Sequence, residues 1–322
     1  MTLLLPQPNQ NALDNKKLIN LALLLILALS SFILVSLSIE QGRIAHDTNN
    51  LAQVKSSPFD NTNVLAKGAI VYDIGAKKIL YSKNPDEVLA LASITKILTA
   101  VTAVEIMPKD TVVTINKQFL SENGDSGLYR DEKWKLSDLI SFSLIVSSND
   151  GASAIAGAAG AFLDNQNPSS ISLNDFINVM NTKAKDIGMN SSQFYNVNGL
   201  DLSSTQSGAY STARDVATLL AYSLQKHPEI TDATRYDALS FKSESNKLHT
   251  AVNTNTDIKM IPGLLASKTG YTDIAGGNLG VVFDPGIGRP IAVVVLGSTY
   301  DGRFTDVNTL VQKTEEYVAQ GN

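Results

Sequence analysis

The longest apolar run of the chain lies near its N-terminus. Residues 18–39 hold 22 positions without a charged side chain, and 17 of these are apolar. As a helix the run would measure roughly 33 Å, enough to cross a hydrocarbon layer of about 30 Å. It has no polar face, which disfavours the buried helix of a soluble domain. The pattern therefore predicts a transmembrane anchor over residues 18–39.

The residues that flank this run predict its orientation. Lys16 and Lys17 precede it, so the positive-inside rule keeps residues 1–17 in the cytoplasm and exports the rest. A cleaved signal peptide is the alternative. However, the apolar core of a signal peptide spans about 7–15 residues, which is shorter than this run. The best candidate cleavage site here, Ser36-Leu37-Ser38, is also weak. An uncleaved anchor is the favoured interpretation.

A polar stretch separates the predicted anchor from the rest of the chain. Residues 40–66 follow neither a helical nor a strand period, which indicates a flexible linker. Residues 67–322 regain ordinary globular patterning without an internal repeat. We therefore expect one folded domain over 67–322.

Strand-like and helix-like patterns alternate within this domain. Residues 69–74 and 77–82 flank a turn at Gly75 and predict a β-hairpin. Further strands are predicted over 238–242, 247–252, 264–271, 276–283 and 291–298. Further helices are predicted over 136–160 with a break near 147–151, over 174–187, over 212–225 and over 304–318. Strands at both ends of a helical middle predict an α+β fold, in which the ends pair into one sheet and a cleft separates the two lobes.

Another helix is predicted to begin at Ser93. Ile97, Val101 and Val104 recur at helical spacing after it, and serine is a common capping residue. Thr212 has the same capping character at the start of the helix over 212–225.

Composition excludes several classes of chemistry. The formal net charge is −5, so no basic surplus is available to bind nucleic acid. The chain has no cysteine, which removes disulfides, thiolate nucleophiles and iron–sulfur clusters. Its three histidines, His46, His227 and His249, are too scattered for a histidine-rich metal site. We therefore expect neither a metal nor a cofactor.

A serine protease with a catalytic histidine is the first hydrolase to consider. Gly124-Asp125-Ser126-Gly127 imitates the nucleophile segment of trypsin-like proteases, but the only upstream histidine, His46, lies in the predicted linker. No G-x-S-x-G motif is present either. A polar turn is the better interpretation of residues 124–127.

Without a suitable histidine, a serine nucleophile needs another base. A lysine can serve when burial or a neighbouring cation lowers its pKa. Residues i and i+3 share a helix face, and Ser93 and Lys96 have this spacing at a predicted helix start, where free N–H groups favour an oxyanion. Ser223 and Lys226 have the same spacing near a helix end, where neither the helix dipole nor free N–H groups favour an oxyanion.

The second element is S-x-N. It occurs four times, at residues 82–84, 121–123, 147–149 and 172–174. Only Ser147 and Asn149 lie in a predicted break between apolar helices, where side chains can face a cleft.

The third element is Lys268-Thr269-Gly270, which occurs once. An apolar stretch precedes it and Tyr271 follows, so it is predicted to lie on a strand. Gly270 would let a substrate backbone come close.

In this order S-x-x-K, S-x-N and K-T-G resemble the signature of penicillin-binding proteins and class A β-lactamases. The chain is most similar to one branch, the D-alanyl-D-alanine carboxypeptidases, over roughly residues 67–318. The segments that carry the resemblance are 69–100, 144–156, 194–200, 210–219 and 267–272. Ser148 departs from the glycine usual in this branch. The resemblance implies a penicillin-binding/β-lactamase-like domain, an antiparallel sheet flanked by helices with a helical lobe, behind the N-terminal transmembrane helix.

The resemblance also implies roles for the serines and lysines. Ser93 would attack the carbonyl between two D-alanines and form an acyl-enzyme, with Lys96 as general base. Ser147 would relay a proton to the leaving amine, and Asn149 would bind the substrate peptide and orient Lys96. Lys268 would lower the pKa of Lys96 and favour the terminal carboxylate.

The remaining roles concern binding of the substrate. Thr269 would bind the terminal carboxylate, and the backbone N–H groups of Ser93 and Tyr271 would form the oxyanion hole. Arg303 stands where this family carries an arginine near the carboxylate, although a solvated arginine at a helix start is equally compatible with the sequence. Arg214 is expected to be structural and to pair with nearby acids.

The implied substrate is a peptidoglycan stem peptide ending in D-Ala-D-Ala, with β-lactams as covalent inhibitors, at a bacterial cell membrane. Class A β-lactamases use a glutamate after S-D-N, whereas this chain has none between Glu132 and Glu229. Asp164 and Asp175 lie in no matching motif, so efficient β-lactamase activity is disfavoured. A D,D-endopeptidase acting on cross-links and a non-catalytic cell-wall-binding module remain open.

Overall fold

The computed structural model describes residues 10–51, 57–120, 124, 127–163, 173–286 and 288–321. The chain divides into two compact units, Met1–Ser56 and Ser57–Asn322.

The first unit contains a single long helix, α1 (Gln10–Leu51). Its segment Lys17–Gln41 is long and apolar enough to cross a membrane once, and its side chains are exposed. The structure differs from the prediction in the first part of the linker, because residues 40–51 continue α1. Extending an existing helix fixes one residue per hydrogen bond and avoids the cost of nucleation, so a segment without periodicity can still be helical here.

Strands and helices alternate in the second unit. Its first part contains β1 (Gly68–Asp73), β2 (Lys78–Lys83), β3 (Leu89–Ala90), α2 (Thr95–Ile106), β4 (Val112–Thr114), β5 (Lys133–Lys135), α3 (Leu136–Ile145), α4 (Asn149–Leu163) and α5 (Leu173–Asp186). Its second part contains β6 (Gln193–Phe194), β7 (Ala209–Ser211), α6 (Ala213–Lys226), α7 (Pro228–Thr231), β8 (Ala238–Lys242), β9 (Leu248–Val252), β10 (Leu264–Thr272), β11 (Gly276–Phe283), β12 (Ile291–Ser298) and α8 (Gly302–Ala319).

The two ends of this unit meet in one antiparallel sheet, as the sequence predicted. The strand order is β10-β11-β12-β1-β2, and Ala69 on β1 lies opposite Val295 on β12. The strands β8 and β9 were also predicted, but they pair with each other as a separate hairpin. Every second residue of this hairpin is exposed. One face of the hairpin is therefore open to solvent, whereas the central strands are buried on both faces.

Side chains from the two faces of the sheet enter two different cores. On β1, Ala69 and Val71 pack in the core that includes Leu310 of α8, whereas Ile70 packs in the core that includes Leu220 of α6. Burial on both faces explains why the central strands are nearly continuous apolar runs. The sheet is therefore a rigid support for residues at its edge.

The predicted break between two apolar helices is confirmed between α3 and α4. The Ser148 hydroxyl accepts a hydrogen bond from the Gly151 N–H at 2.9 Å, which caps the first turn of α4. A Cβ atom at Gly151 would collide with the Ser143 hydroxyl, so glycine permits the close packing of the two helices. Thr212 caps α6 through the N–H of Asp215, also as predicted.

The folded unit begins before residue 67, inside the segment predicted as a linker. Phe59 is 7% exposed and stacks on Tyr81, while Ala66 is fully buried. The Asp306 carboxylate of α8 accepts hydrogen bonds from the N–H groups of Leu65 and Ala66, both at 2.8 Å. These contacts pack residues 57–66 against the sheet.

Candidate active site

A strained turn presents Ser93 at the start of α2. Ala92–Ile94 form a 3₁₀ turn, and Ala92 adopts a left-handed φ of 48°, which is uncommon for a residue with a Cβ atom. The Asn278 side chain on β11 donates to the Ala90 carbonyl at 2.9 Å and holds the approach to this turn. Strain of this kind clusters at functional sites.

The predicted capping role of Ser93 is wrong. The side chain makes no cap hydrogen bond at either helix start. Its hydroxyl instead accepts a hydrogen bond from Lys96 Nζ at 2.7 Å. The i, i+3 spacing directs both side chains to one face, so the pairing predicted from the sequence is present.

Lys96 is buried, with 2% of its surface exposed. Its amine also donates to the Asn198 backbone carbonyl at 2.8 Å. An amine fixed in this way faces the Ser93 hydroxyl with restricted motion. The geometry suits proton transfer between a hydroxyl and an amine, for which heavy-atom separations of about 2.6–3.2 Å are required.

A second strained residue carries the second serine. Ser147 lies between α3 and α4 with a left-handed φ of 60°, and Asn149 is the first residue of α4. The Ser147 hydroxyl accepts a hydrogen bond from Lys268 Nζ at 2.9 Å. The S-x-N segment and the K-T-G strand therefore meet through a serine–lysine pair.

The amine of Lys268 is strongly perturbed by its surroundings. It is 2% exposed, and its amine also donates to the Thr269 carbonyl at 2.9 Å. Burial, and secondarily the positive charge of Arg303, lower the pKa of Lys268 to about 7. Near neutral pH this amine can therefore both hold and release a proton.

The K-T-G strand packs directly on the nucleophile turn. β10 is an edge strand of the central sheet. A Cβ atom at Gly270 would lie 3.1 Å from the Ser93 nitrogen and 2.8 Å from the Leu91 carbonyl, so glycine permits this close approach. Tyr271, the next residue, has a side chain that is 46% exposed.

The Thr269 side chain has a partner that the sequence did not reveal. The hydroxyl groups of Thr269 and Thr254 lie 2.6 Å apart. The Thr254 N–H donates to the Ile145 carbonyl at 3.1 Å, at the end of α3. Thr254 therefore connects the K-T-G strand with the helical lobe.

Arg303 lies at the site rather than in solvent. It is 4% exposed, and its Nη1 donates to the Gly270 carbonyl at 3.1 Å. Its guanidinium lies 4.3 Å from the centre of the Tyr300 ring. Burial lowers the pKa of Arg303, while the nearby tyrosines and Asp301 oppose that effect. The alternative of a solvated arginine is therefore wrong, while a role of Arg303 at the substrate carboxylate stays a prediction.

The other candidate motifs lie away from these contacts or outside the described residues. Ser223 is buried on α6, and residues 82–84 lie at the end of β2. Asp125, Ser126 and the S-x-N at 121–123 fall outside the described residues, as do Ser172 and Asp164.

The two histidines with described side chains bind glutamates instead of the nucleophile. His227 contacts Glu105 at 3.1 Å, and the buried His249 contacts Glu132 at 2.7 Å. Arg214 forms a bidentate ion pair with Asp86 at 2.6 and 3.0 Å. Its structural role was predicted, but the partner lies far away in sequence.

Three residues of the site escaped prediction. Asn198, Thr254 and Asn278 act through backbone carbonyl or hydroxyl contacts that join distant segments. The only sequence signal was the family-like segment 194–200, which contains Asn198.

Comparison with known proteins identifies the family. The Peptidase S11 family, described as D-alanyl-D-alanine carboxypeptidase, matches residues 52–299. The chain belongs to this family, and its fold is that of the penicillin-binding proteins.

Three similar proteins illustrate the relationship. D-alanyl-D-alanine carboxypeptidase DacF of Bacillus subtilis is 33% identical over 252 residues, a match that covers 76% of this chain and 61% of that relative. The chain thus spans less than two thirds of that relative. The D-alanyl-D-alanine endopeptidase of Pseudomonas aeruginosa is 32% identical over 256 residues, covering 75% of this chain and 74% of the relative. Ampicillin-bound penicillin-binding protein D2 of Listeria monocytogenes is 28% identical, with a TM-score of 0.66, covering 79% of this chain and 98% of that one.

The charge of Arg303 is expected to control the protonation of Lys268. Because the guanidinium lowers the pKa of Lys268, Arg303→Gln should raise that pKa above 7. The shift can be followed by NMR of ¹³Cε-labelled lysine, with the Lys268 signal assigned from its absence in Lys268→Met. Arg214→Gln removes an arginine that is already paired with Asp86 and should leave the titration unchanged. An unaltered Lys268 titration in a folded Arg303→Gln protein would contradict the electrostatic coupling.

Proposed function

We propose that this chain is a serine-type D-alanyl-D-alanine carboxypeptidase that trims the stem peptides of peptidoglycan. The observation that carries the proposal is the 2.7 Å contact between the Ser93 hydroxyl and the buried Lys96 amine. Membership of the family supports it. The second serine–lysine pair, Ser147 with Lys268, supplies the further acid–base chemistry that peptide cleavage needs.

Acylation begins with proton transfer from Ser93 to Lys96. The uncharged amine accepts the hydroxyl proton across their hydrogen bond, and Ser93 Oγ attacks the carbonyl carbon of the penultimate D-alanine. A tetrahedral oxyanion forms. The backbone N–H groups of Ser93 and Tyr271 stabilise it, and removal of one such donor typically costs about 10²–10³ in rate.

Collapse of the tetrahedral intermediate breaks the bond to the terminal D-alanine. Ser147 gives a proton to the leaving nitrogen and regains one from Lys268, whose amine is 2.9 Å away. A pKa of about 7 suits Lys268 to this exchange at neutral pH. Asn149, at the start of α4, binds the substrate peptide.

Cationic and hydroxyl groups select a substrate with a free carboxylate. Thr269 offers its hydroxyl, and Lys268 and Arg303 supply buried positive charge beside the same strand. Charge-assisted hydrogen bonds to a carboxylate are about twice as strong as neutral ones. A peptide ending in D-Ala-D-Ala presents this group next to the bond that is cleaved.

Water then attacks the acyl carbonyl and breaks the ester bond. Its proton passes through Ser147 to Lys268, and Lys96 returns its proton to Ser93 Oγ, so the hydroxyl and both amines are restored.

Neither Glu132 nor Asp175 is placed as a free acid beside Ser93. Glu132 is occupied by His249 and by the Tyr129 N–H, and Asp175 is exposed on α5. A β-lactam acyl group should therefore leave slowly.

A D,D-endopeptidase is the second candidate, because a relative with that name is 32% identical. Both reactions use the same catalytic groups and differ in the leaving group, which is a terminal D-alanine in one and a cross-linked peptide in the other.

We further propose that α1 anchors the enzyme in the cell membrane as a single span, with residues 1–17 in the cytoplasm and the catalytic unit outside. The apolar, exposed segment Lys17–Gln41 supports this arrangement.

Ser93→Ala is expected to abolish release of D-alanine from a pentapeptide, because it removes the proposed nucleophile, the hydroxyl that lies 2.7 Å from the Lys96 amine. Enzymatic quantification of D-alanine measures this. Ser223→Ala is the matched control, since Ser223 belongs to the second S-x-x-K and should retain full activity. Cleavage of cross-linked muropeptides without D-alanine release would identify an endopeptidase. Peptide binding without cleavage by the unaltered protein would indicate a binding module.

Ampicillin is expected to form a lasting adduct on Ser93. Mass spectrometry of intact protein should show one added ampicillin that decays slowly, since the sequence has no glutamate between Glu132 and Glu229. Ser93→Ala should show no adduct and Ser223→Ala the full adduct. Rapid catalytic turnover of ampicillin would contradict this prediction.

The full chain should sediment with membranes, whereas a chain that begins at Ser57 should be soluble, because the apolar helix precedes that residue. Alkaline carbonate extraction distinguishes an integral anchor from peripheral attachment. Recovery of the full-length chain in the soluble fraction would contradict the proposed anchor.

A further inference from the structure

A compact loop connects the nucleophile helix with the K-T-G strand. Residues 195–208, which we call the clasp loop, join β6 to β7. Its carbonyl groups accept hydrogen bonds from α2: the Val197 carbonyl from Thr99 Oγ1 at 2.6 Å, and the Asn198 carbonyl from Lys96 Nζ at 2.8 Å. One side of the loop is therefore bonded to the general base.

Internal hydrogen bonds fix the shape of the clasp loop. The Asn196 side chain accepts from the Gly199 N–H at 2.7 Å and donates to the Leu200 carbonyl at 2.8 Å. Gly199 has a φ of 81°, and a Cβ atom there would collide with the Ala92 carbonyl. The loop thus packs rigidly against the strained turn that presents Ser93.

The other side of the clasp loop is bonded to the end of β10. Asp201 accepts hydrogen bonds from the Thr272 hydroxyl at 3.0 Å and from the Ile274 N–H at 3.4 Å. The Thr272 hydroxyl in turn accepts from the Ala275 N–H at 3.2 Å. Thr272 directly follows Tyr271, whose N–H belongs to the oxyanion hole of the proposed function.

We propose that Asp201 is a positioning residue that sets the distance between the Tyr271 N–H and Ser93. The clasp loop contacts the Ser93 turn and Lys96 at one end, and through Asp201 it holds β10 at the other. Errors of about 1 Å in such geometry cost up to about 100-fold in rate. This inference rests on the proposed function and adds to it a residue that touches neither nucleophile nor base.

The inference predicts a specific kinetic signature. The carboxylate groups of substrate and β-lactam are recognised at Thr269 and Arg303, on the other side of Tyr271 from Thr272. Loss of Asp201 should therefore spare initial binding and slow formation of the covalent bond. A residue with only a general structural role would lower stability without separating these two steps.

The experiment measures acylation by ampicillin in the full chain, resolved into the dissociation constant of the initial complex and the rate constant for acylation. Asp201→Ala should lower the acylation rate constant roughly 10–100-fold and leave the dissociation constant within about twofold. Asp201→Asn retains an acceptor for the Thr272 hydroxyl and should have a smaller effect. Asp273→Ala removes an exposed carboxylate from the same turn and should behave like the unaltered protein.

A double-substitution cycle tests the contact itself. Thr272→Val removes the hydroxyl that donates to Asp201, so it should reproduce the acylation defect. Asp201→Ala combined with Thr272→Val should be less slow than the product of the two single defects, because both remove the Asp201–Thr272 hydrogen bond and each removes only one further contact of its own. Thermal unfolding of each variant verifies that it is folded.

The outcomes separate this inference from the proposed function. If the unaltered chain forms no adduct on Ser93, the proposed function fails. If the unaltered chain is acylated and Asp201→Ala matches it, or if only the initial dissociation constant changes, the positioning role is overturned. Multiplicative defects in the double variant also overturn it.

Discussion

Two lysine amines are buried beside two serine hydroxyls, and the proposed chemistry depends on that burial. Loss of solvent disfavours the charged form of an amine, which gives Lys268 a pKa of about 7. Backbone carbonyls of Asn198 and Thr269 accept hydrogen bonds from the two amines and limit the cost of desolvation. Near neutral pH the Lys268 amine can therefore hold or release a proton beside the Ser147 hydroxyl.

The surrounding fold supports strained backbone at both serines. Ala92 and Ser147 adopt left-handed conformations that cost of order 1–3 kcal/mol each. The central sheet is buried on both faces, and α3 and α4 pack closely through Gly151. These cores support both turns: the Ser147 hydroxyl contacts Lys268 of β10, and the Ser93 turn packs against Gly270 of the same strand.

The edge strand β10 gathers contributions from both lobes. Ser147 reaches it from the helical lobe, Thr254 from the segment after β9, and Arg303 from the start of α8. The clasp loop adds a further connection through Asp201. Because each contact ends on one strand, a small displacement of β10 would alter the contacts of Ser147, Thr254 and Arg303 together. This dependence explains why so many distant segments bond to so short a stretch of chain.

The sequence by itself indicated most of the longer local elements, although not the short strands β3 to β7 or the short helix α7, and it suggested the groups proposed for catalysis. Periodicity is a property of neighbouring residues, so it located the hairpin β1–β2, the break before α4 and the strands of the sheet. The spacing of Ser93 and Lys96 likewise fixed their contact, because a helix brings i and i+3 together. Only the tertiary structure decided how those groups are held. Lys268 meets Ser147 across 121 residues and Asp201 meets Thr272 across 71, and such pairings leave no periodic trace. The end of α1 and the packing of residues 57–66 differ from the predicted linker for the same reason, since helix extension and burial depend on neighbours in space rather than on local pattern.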